Sequence, residues 1–469
     1  MVTTPAKRPR PKPFLFPRFC KSCGRCIEAC PTDCIRLSDG IDPHSGLRPV
    51  VVDVERCNGC GLCFDACPEP YGLLPISQVA DDMVTDPATF FGPRASTAPE
   101  PVDIPDRVIP LPAVEPLVLK GTYAAAIGAV LAGCRHFFGY PITPSTEGAE
   151  LMARLLPPLH GVFYQAVSEV ATVNMMYGCA GAGLRCTTFT SSPGFSLMLE
   201  GISYMIGAEL PAVFVNVMRG GPGLGNIGPE QGDVKLVCRG LGHGNTHAIV
   251  LAPASPQEML DLTREAFDLA FRYRNPVIIA GDGDLGQVSG RVTLPATTTV
   301  PGIPAWAVYG DRGHRRNLHT SILLHEPDLE KHNVHLNAKY DTIAAHEQRA
   351  DLYECADAEW LIVACNTPAR VAKGAVRMLR ARGVPVGLFR PVTLWPFPID
   401  ALRPLLERAR GLLVVEAGPG QLEDELRLAL SHADLRTPRL ARVRHFGGVL
   451  PQQREVIDAV IALGEADHG

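Results

Sequence analysis

Two short runs of cysteines constrain the fold of this chain more than any other feature of its sequence. The first run reads CKSCGRCIEACP and the second reads CNGCGLCFDACP, so both follow the pattern C-x₂-C-x₂-C-x₃-C-P. The eight cysteines of the two runs are Cys20, Cys23, Cys26 and Cys30, then Cys57, Cys60, Cys63 and Cys67. Thiolates at this spacing are typical ligands of [4Fe–4S] clusters. We therefore expect the amino-terminal part of the chain to move electrons.

Two runs of this kind predict two clusters whose ligands cross between the runs. In two-cluster ferredoxins the fourth cysteine of each run binds the other cluster. The expected ligands are Cys20, Cys23, Cys26 and Cys67 for one cluster, and Cys57, Cys60, Cys63 and Cys30 for the other. The alternative is structural zinc, which usually takes its four thiolates from paired C-x₂-C knuckles. Cys34 follows the first run, and we expect it to pack in the interior rather than to bind metal.

Composition indicates that the remainder of the chain is globular. Of the 469 residues, 46% are hydrophobic and 20% are charged, and this length corresponds to about three domains. The formal net charge of −5 argues against a general nucleic-acid-binding protein. The short basic run KRPRPK at 7–12 is interrupted by prolines, and we expect it to be a solvated tail.

Neither a membrane segment nor an export signal is expected. No stretch reaches the roughly 20 apolar residues that a membrane-spanning helix needs, and the amino terminus lacks the apolar core of a secretory signal. We therefore expect a cytoplasmic protein without a disulfide framework. The six cysteines that follow Cys67 are expected to act as small buried hydrophobic residues, namely Cys134, Cys179, Cys186, Cys238, Cys355 and Cys365.

Changes in the character of the sequence predict five segments. They are a cluster-binding domain over 1–80, a proline-rich linker over 81–117, an α/β domain over 118–295, a connecting segment over 296–356 and a second α/β domain over 357–469. In both α/β domains, apolar strand-like runs such as PAVFVNVM alternate with helix-like runs. This alternation predicts a doubly wound parallel sheet, whose central strands are apolar because they are buried on both faces.

Three polar stretches follow predicted strands of the first α/β domain. They are YPITPSTE at 140–147, QAVSEVATVNMMYGCAGAG at 165–183 and VMRGGPGLGNIGPEQGD at 217–233. Open α/β sheets bind their ligands at the carboxyl ends of their strands. We therefore expect the substrate chemistry at this edge of the sheet.

Over about residues 118–450 the chain resembles the α subunit of the 2-oxoacid:ferredoxin oxidoreductases, most closely the branched-chain (2-oxoisovalerate) type. The resemblance rests on SSPGFSLMLEGISY, RGGPGLGN, WAVYGDRGHRRN and RPVTLWPFP, which occur in that order. Enzymes of this family use thiamine diphosphate to convert 2-oxoacids and coenzyme A to acyl-CoA. The cysteine-rich head resembles the ferredoxin-like subunit of the family, which is usually a separate chain.

The resemblance implies roles for three residues of the polar stretches. Glu169 matches the glutamate that hydrogen-bonds the aminopyrimidine of thiamine diphosphate and so promotes its activation. Thr143 matches a threonine that contacts the carboxylate or keto group of the substrate, and Arg219 matches an arginine that faces the 2-oxoacid. An arginine suits that position because its planar guanidinium pairs with a carboxylate. The simpler alternatives are a helix cap for Glu169, a turn residue for Thr143 and a surface ion pair for Arg219.

Two glycine motifs are expected to mislead. GLGNIG at 223–228 fits the pattern G-x-G-x-x-G, but Pro229 follows and no amphipathic helix begins there, as a dinucleotide site requires. GDG at 281–283 is similar to the start of the motif that binds Mg²⁺ and diphosphate, but the helix and asparagine expected after it are absent. In the resembling family the β subunit supplies the diphosphate site, so thiamine diphosphate and its Mg²⁺ are expected at a subunit interface.

The resemblance as a whole implies one subunit of an oxidoreductase that decarboxylates a 2-oxoacid, with coenzyme A as co-substrate. The implied partners are the β subunit, a γ subunit and an external ferredoxin or similar electron acceptor. Two alternatives stay open. One is the same chemistry on 2-oxoglutarate, pyruvate or an aryl 2-oxoacid such as phenylglyoxylate. The other is a non-catalytic subunit that only transfers electrons or docks other chains.

Overall fold

The structure is a computed structural model of the chain. It describes residues 11–42, 45–69, 72–79, 101–311, 313–314, 317–436 and 438–465. Most of the predicted tail at 7–12 and of the predicted linker at 81–117 lies outside the described residues. The chain forms two compact units, which consist of Met1–Pro101 with Gly310–Asn337 and of Val102–Tyr309 with Ala338–Gly469.

The first unit is built from short strands and helices around its cysteines. Its strands are β1 (Pro13–Leu15), β2 (Ile35–Leu37), β3 (Val50–Val52) and β4 (Leu73–Pro75), and its helices are Arg25–Glu28, Leu62–Ala66 and the first part of Glu326–His346. β1 pairs with β4 and β2 pairs with β3, both antiparallel. Each short helix begins after a glycine with positive φ, Gly24 at 75° and Gly61 at 86°. Glycine suits this left-handed turn, which separates the second and third cysteines of each run.

A seven-stranded sheet forms the centre of the second unit. Its strands are β7 (His136–Gly139), β8 (Val162–Gln165), β9 (Cys186–Thr190), β10 (Val213–Met218), β11 (Ile249–Leu251), β12 (Val277–Asp282) and β18 (Thr393–Trp395). Their order is β18-β11-β12-β10-β9-β7-β8, and only β18 runs antiparallel to its neighbour within this sheet. Strands β9 to β12 are buried along their whole length, as strands with helices on both faces must be.

Helices connect these strands and cover the sheet. They are Gly121–Leu131, Thr146–Leu155, Glu169–Gly181, Ser192–Gly207, Val234–Arg239, Pro256–Tyr273 and Gly283–Gln287. Helix Pro256–Tyr273 begins at Ser255, whose Oγ accepts the backbone N–H of Glu258 at 3.2 Å, and this satisfies a donor that the helix leaves open. Two antiparallel pairs flank the sheet, namely β5 (Arg107–Pro110) with β14 (Thr297–Val300) and β6 (Leu117–Lys120) with β13 (Ser289–Val292).

A five-stranded sheet organises the carboxyl-terminal half. In the order β15-β17-β16-β19-β20, its strands are Ala350–Tyr353, Val386–Pro391, Trp360–Val363, Gly411–Glu416 and Arg439–Arg444. Its helices are Asn366–Arg380, Ile399–Leu406, Gln421–His432 and Gln453–Glu465. The predicted architecture, a doubly wound α/β domain followed by a second α/β domain, is confirmed. No described helix is both long enough and apolar enough to span a bilayer.

Candidate active site and cluster sites

Two pockets in the first unit are each lined by four cysteines of the two runs. One pocket is lined by Cys20, Cys23, Cys26 and Cys67, and the other by Cys30, Cys57, Cys60 and Cys63. The pockets have empty volumes of about 330 and 290 Å³, including their openings to solvent. Each pocket thus combines three cysteines of one run with the fourth cysteine of the other run.

Two thiols in these pockets, one in each, are hard to ionise because they are buried. Burial, and then the neighbouring Cys20, Cys67 and Cys23, raise the pKa of Cys26 to about 12. Burial, followed by Cys57 and Cys60, raises the pKa of Cys63 to about 11. Cys30 differs, since burial is outweighed by hydrogen bonds from Thr32 and Cys34, which lower its pKa to about 7. Bound iron ions would supply the positive charge that thiolates at Cys26 and Cys63 need.

Main-chain groups contribute to the surroundings of the sulfur atoms in both pockets. Backbone N–H groups point at cluster cysteines, since Val50 donates to Cys20 Sγ and Gly59 donates to Cys57 Sγ, both at 3.4 Å.

Cys34 lines the same pocket as the second predicted ligand set. Its Sγ lies 3.3 Å from Cys30 Sγ, and its backbone N–H donates to that sulfur at 3.4 Å. It is also buried, in the small apolar core of the unit. The side chain thus packs in the interior, as predicted, but beside a predicted ligand.

Glu169 lies at the carboxyl edge of the seven-stranded sheet, as the first residue of helix Glu169–Gly181. Ser168 caps this helix, since its Oγ accepts the N–H of Ala171 at 3.2 Å. The Glu169 side chain is therefore not needed as the cap, although it is only 5% exposed. Its carboxylate faces Gly194, where an added Cβ would overlap both Glu169 Oε1 and Thr190 Oγ1. Helix Ser192–Gly207 can approach the carboxylate only because residue 194 is a glycine.

Arg219 follows β10 at the same edge and is held close to Thr143. Its Nη1 donates to the carbonyl oxygen of Thr143 at 2.7 Å, and its Nη2 donates to that of Leu224 at 3.1 Å. Its buried Nε has no hydrogen-bond partner. Among the described residues, no carboxylate lies within ion-pair distance of this guanidinium. The surface ion pair considered from the sequence is therefore not formed, and the positive charge stays available to an anion.

A buried hydrogen-bond network supports Arg219, and sequence reasoning missed it. Ser192 Oγ accepts the backbone N–H of Arg219 at 3.0 Å and donates to Asp233 Oδ2 at 2.5 Å. Asn216 Nδ2 donates to the same carboxylate oxygen at 3.0 Å. Burial raises the pKa of Asp233, although both hydrogen bonds act in the opposite direction. The only signal in the sequence was that each of these residues lies at, or shortly after, the carboxyl end of a predicted strand.

The segment 190–194 brings Glu169 and Arg219 to one site. Gly194 packs against both the Glu169 carboxylate and Thr190 Oγ1, while Ser192 binds the backbone N–H of Arg219. Thr143 joins through its carbonyl group, and its own side chain is exposed. The three residues singled out from the sequence thus follow the carboxyl ends of β7, β8 and β10 of one sheet.

The glycine loop at 220–228 is tied down by side chains and does not open a helix. Asn226 Nδ2 donates to the Gly447 carbonyl at 2.9 Å, and Glu230 accepts the N–H of Gly447 at 2.9 Å. The next helix begins only at Val234. A dinucleotide site needs a helix amino terminus directly after its glycines, so the predicted absence of such a site is consistent with this loop.

Asp282 of the GDG motif has a structural role. Its buried carboxylate accepts hydrogen bonds from the backbone N–H of Leu285, the backbone N–H of Thr367 and the Thr367 hydroxyl, each at 2.8 Å. These bonds begin helix Gly283–Gln287, so the expectation that no helix follows GDG is wrong, and they fasten the start of helix Asn366–Arg380. Both oxygens of the carboxylate are engaged in interior hydrogen bonds, which gives this motif a packing role.

Large apolar side chains are exposed around the same carboxyl edge. Val167 and Leu224 are 87% and 83% exposed, and both lie on segments that follow the strands of the site. The other exposed apolar side chains on these segments and adjoining elements are Tyr140, Tyr164, Val170, Leu197 and Ile227. Several exposed large apolar side chains on neighbouring segments are typical of a surface that binds another protein or a ligand.

Three protein-family matches cover most of the chain. Residues 127–354 match the family described as pyruvate flavodoxin/ferredoxin oxidoreductase, thiamine diphosphate-binding. Residues 358–456 match pyruvate:ferredoxin oxidoreductase core domain II, and residues 19–70 match a 4Fe-4S dicluster domain. The sequence resemblance and the thiamine diphosphate-binding type of domain are thereby confirmed.

Individual relatives agree with these matches. The ketoisovalerate oxidoreductase subunit VorB of Methanothermobacter thermautotrophicus is 46% identical over 345 residues, which is 73% of this chain and 96% of the relative. The 2-oxoglutarate synthase subunit KorA of Methanocaldococcus jannaschii is 36% identical over 370 residues, 73% of this chain and 98% of the relative. A structure of 2-oxoglutarate:ferredoxin oxidoreductase from Magnetococcus marinus, with 2-oxoglutarate, coenzyme A and succinyl-CoA bound, has a TM-score of 0.65 at 25% identity. That match covers 74% of this chain but only 65% of the other.

Proposed function

The chain belongs to the family of 2-oxoacid:ferredoxin oxidoreductase subunits, and from this membership we propose its reaction. It is the α-type subunit of an enzyme that converts a 2-oxoacid and coenzyme A to acyl-CoA and CO₂. The two electrons released pass singly through two [4Fe–4S] clusters to ferredoxin or a similar acceptor. The observation that carries this proposal is the segment 190–194, in which Gly194 packs against the Glu169 carboxylate while Ser192 binds the backbone N–H of Arg219.

Glu169 acts on the pyrimidine side of the cofactor site. Thiamine diphosphate, when bound, supplies the carbanion stabilisation that decarboxylation of a 2-oxoacid needs. The Glu169 carboxylate holds a proton at a ring nitrogen of the aminopyrimidine and so sets the protonation state of the amino group. Its burial supports this role, because a carboxylate removed from water interacts strongly with a hydrogen-bond partner.

Arg219 binds the carboxylate of the 2-oxoacid. Its two Nη groups are oriented by the carbonyl oxygens of Thr143 and Leu224, and no described carboxylate neutralises its charge. Thr143, whose backbone carbonyl accepts from the same guanidinium and whose side chain is exposed, contacts the substrate's carboxylate or keto oxygen. Together the two residues orient the bond between the carboxylate and the keto carbon.

A partner β subunit completes the site with the diphosphate and Mg²⁺ ligands. Neither glycine motif of this chain supplies them, because Asp282 is committed to internal hydrogen bonds and the loop 220–228 opens no helix. The exposed apolar side chains around the sheet edge support an interface there. A γ subunit completes the assembly, and this chain alone is inactive.

The two four-cysteine pockets hold the clusters with crossed ligands. Cys20, Cys23, Cys26 and Cys67 hold one [4Fe–4S] cluster, and Cys57, Cys60, Cys63 and Cys30 hold the other. Because this head is part of the same polypeptide, it serves as a fixed outlet for electrons rather than as a diffusing carrier.

A branched-chain 2-oxoacid such as 2-oxoisovalerate is the proposed substrate. The 46% identity to a ketoisovalerate oxidoreductase subunit exceeds the 36% identity to a 2-oxoglutarate synthase subunit. 2-Oxoglutarate is the second candidate, since a related structure is described with it bound. Pyruvate and aryl 2-oxoacids remain less favoured candidates.

The experiment is a substrate panel on the natively purified complex under anaerobic conditions. Reduction of a viologen dye is measured with each 2-oxoacid, with and without coenzyme A. The expected result is reduction that needs both, fastest with 2-oxoisovalerate. The proposed reaction would be contradicted if a complex loaded with iron and thiamine diphosphate failed to reduce the dye with every 2-oxoacid of the panel. A preference for 2-oxoglutarate would contradict only the substrate.

A further inference from the structure

Three cysteines and a histidine meet at the end of the seven-stranded sheet opposite the candidate active site. His136 and Cys186 are the first residues of β7 and β9, and they are register partners on these adjacent parallel strands. Cys186 Sγ donates to the Met176 carbonyl of helix Glu169–Gly181 at 3.7 Å. Cys179 lies three residues beyond Met176, on the same face of that helix. The chain thereby places the Cys179 and Cys186 side chains next to each other.

The two cysteines differ in access and in acidity. Cys186 is fully buried, whereas Cys179 is partly exposed to solvent. The neighbouring Cys186 thiol, against the effect of burial and together with the His136 ring, lowers the pKa of Cys179 to about 6. The same contact, and then burial, raise the pKa of Cys186 well above its usual value. Cys179 is therefore the more acidic and the more exposed thiol of the pair.

The third cysteine at this end of the sheet is Cys134. It is fully buried, and its Sγ donates to the His136 carbonyl at 3.3 Å. The proposed decarboxylation does not use any of these residues. A partly exposed, more acidic thiol beside a second thiol is the arrangement of a redox-sensitive pair.

We propose that Cys179 and Cys186 form a thiol pair that hydroperoxides oxidise to a disulfide. The Cys179 thiolate attacks the O–O bond of the peroxide and becomes a sulfenic acid, while the other oxygen leaves as an alcohol or as water after taking a proton. The Cys186 sulfur then attacks the sulfenic sulfur and expels hydroxide, which leaves as water with the Cys186 proton. In total, two thiols and one hydroperoxide give one disulfide, one alcohol (or water) and one water.

The disulfide would tie helix Glu169–Gly181 to β9. Cys179 lies ten residues after Glu169 on this helix, which corresponds to about 15 Å along its axis. The modification would therefore act on the element whose first residue is the candidate catalytic carboxylate. It would not touch the site itself.

The chain sequence makes the test direct, because trypsin places the three thiols on separate peptides. Cleavage after Arg154, Arg185 and Arg219 yields peptides 155–185 and 186–219, with Cys179 and Cys186 as their only cysteines. Cys134 falls on a third peptide, 121–135. The natively purified complex is treated anaerobically with one equivalent of hydrogen peroxide, blocked with an alkylating reagent and digested without reduction.

The expected result is a disulfide-linked pair of peptides 155–185 and 186–219 in the mass spectrum. Cys134→Ser, the matched control, retains this linked pair. Cys179→Ser loses it, and Cys186→Ser instead gives a sulfenic acid on peptide 155–185, which a 1,3-diketone probe traps. Absence of the linked pair from the peroxide-treated unsubstituted complex would overturn the proposal, as would a link through Cys134. Since the readout is a peptide mass, the result does not depend on the proposed enzymatic activity.

Discussion

At the scale of single residues, the two charged side chains of the candidate site are both kept available by a neighbour. Ser168 caps helix Glu169–Gly181, so the Glu169 carboxylate is not used for capping. Ser192 accepts the backbone N–H of Arg219, which fixes the backbone while leaving the guanidinium charge uncompensated. The two serines thus stabilise the local structure, and the charged side chains remain available to a ligand.

Glu169→Gln tests the proposed catalytic carboxylate. Glutamine has nearly the same shape but cannot take up a proton, so we expect 2-oxoacid-dependent viologen reduction to fall by roughly 10²–10⁴-fold. Iron content and the unfolding temperature should stay close to those of the unsubstituted complex. Activity within about twofold of normal would remove Glu169 from the mechanism and leave it as an ordinary helix residue.

Ser192→Ala tests the network that holds Arg219. The change removes a donor to the buried Asp233 carboxylate and an acceptor from the Arg219 N–H, which should cost about 1–3 kcal/mol. We expect a higher KM for the 2-oxoacid with a smaller change in kcat. Ser196→Ala is the control, since Ser196 is on the same helix and only donates to the Ser192 carbonyl at 3.1 Å. Equal effects of the two substitutions would contradict a positioning role for Ser192.

Cys67→Ser and Cys34→Ser form a matched pair that tests the ligand sets. Cys67 lies in the pocket with Cys20, Cys23 and Cys26, whereas Cys34 lines the other pocket beside the expected ligand Cys30. We expect Cys67→Ser to lose about four of about eight iron atoms, and Cys34→Ser to keep all of them. Iron analysis and the visible absorbance band measure both. If iron were instead lost from Cys34→Ser and retained in Cys67→Ser, the crossed assignment would be wrong.

At the scale of elements, strands and helices of the two α/β halves contact each other directly. β18 comes from the carboxyl-terminal half, yet it pairs with β11 at the edge of the first sheet. Trp395 of β18 stacks on His247 with ring centroids 4.5 Å apart. Asp282 at the end of β12 fastens the start of helix Asn366–Arg380 through Thr367. The second unit is therefore joined by interior contacts as well as by the chain.

Asp282→Asn separates the structural role of the GDG motif from a cofactor role. An amide group replaces one acceptor by a donor that faces the Thr367 or Leu285 N–H, so we expect a loss of about 1–3 kcal/mol in unfolding free energy. The affinity of the assembled complex for thiamine diphosphate and Mg²⁺ should not change. Asp284→Asn is the control, because this side chain is 42% exposed. A large loss of cofactor affinity in Asp282→Asn alone would return this motif to the active site.

The local sequence pattern predicts strands and helices that bury a continuous apolar run. It does not predict elements with few apolar residues, or strands whose pairing partners are far away in the sequence. The runs at β10 and β12 are apolar along their length, so both strands could be predicted. Helix Glu326–His346 was missed within a segment expected to be irregular, because EPDLEKHNVHLNAKYDTIAAH has few apolar residues at helical spacing. Strands β5 and β14 were also missed, since nearly 190 residues separate the two partners.

The same contrast holds for the candidate site. Glu169 and Arg219 could be identified because each follows a strand within a stretch of familiar sequence. The Ser192–Asp233–Asn216 network could not, because its members lie 17 and 41 residues apart and meet only in the folded sheet. Cys179 and Cys186 were expected to be inert buried residues. Their contact depends on how helix Glu169–Gly181 packs over β9, which no local pattern reveals.

At the scale of the whole molecule, the two units differ in what can stabilise them. The second unit has extended apolar cores, of which the one around the five-stranded sheet alone contains sixteen buried residues. The first unit has a core of six buried residues, three of which are cysteines. A core this small needs metal to hold a fold of this size. The proposed clusters are therefore structural as well as redox groups.

Expression of the chain without its partners tests the proposed division of labour. We expect the isolated chain to hold about eight iron atoms and to show no viologen reduction with any 2-oxoacid, because the diphosphate site is missing. Addition of the β and γ subunits should restore the activity. Full activity of the isolated chain would contradict a shared active site, whereas an iron-loaded chain that never binds a thiamine-binding partner would favour a docking or electron-transfer subunit.

The first unit consists of two segments that are far apart in the chain, Met1–Pro101 and Gly310–Asn337, so it cannot be completed until the second segment is synthesised. All eight cysteines of the two runs leave the ribosome well before the second segment exists, since roughly 240 residues separate Cys67 from Gly310. At about 5–20 residues per second, translation leaves an interval of roughly 12–50 s. Iron–sulfur assembly factors therefore meet these thiols on a nascent chain whose own closing segment has yet to be made.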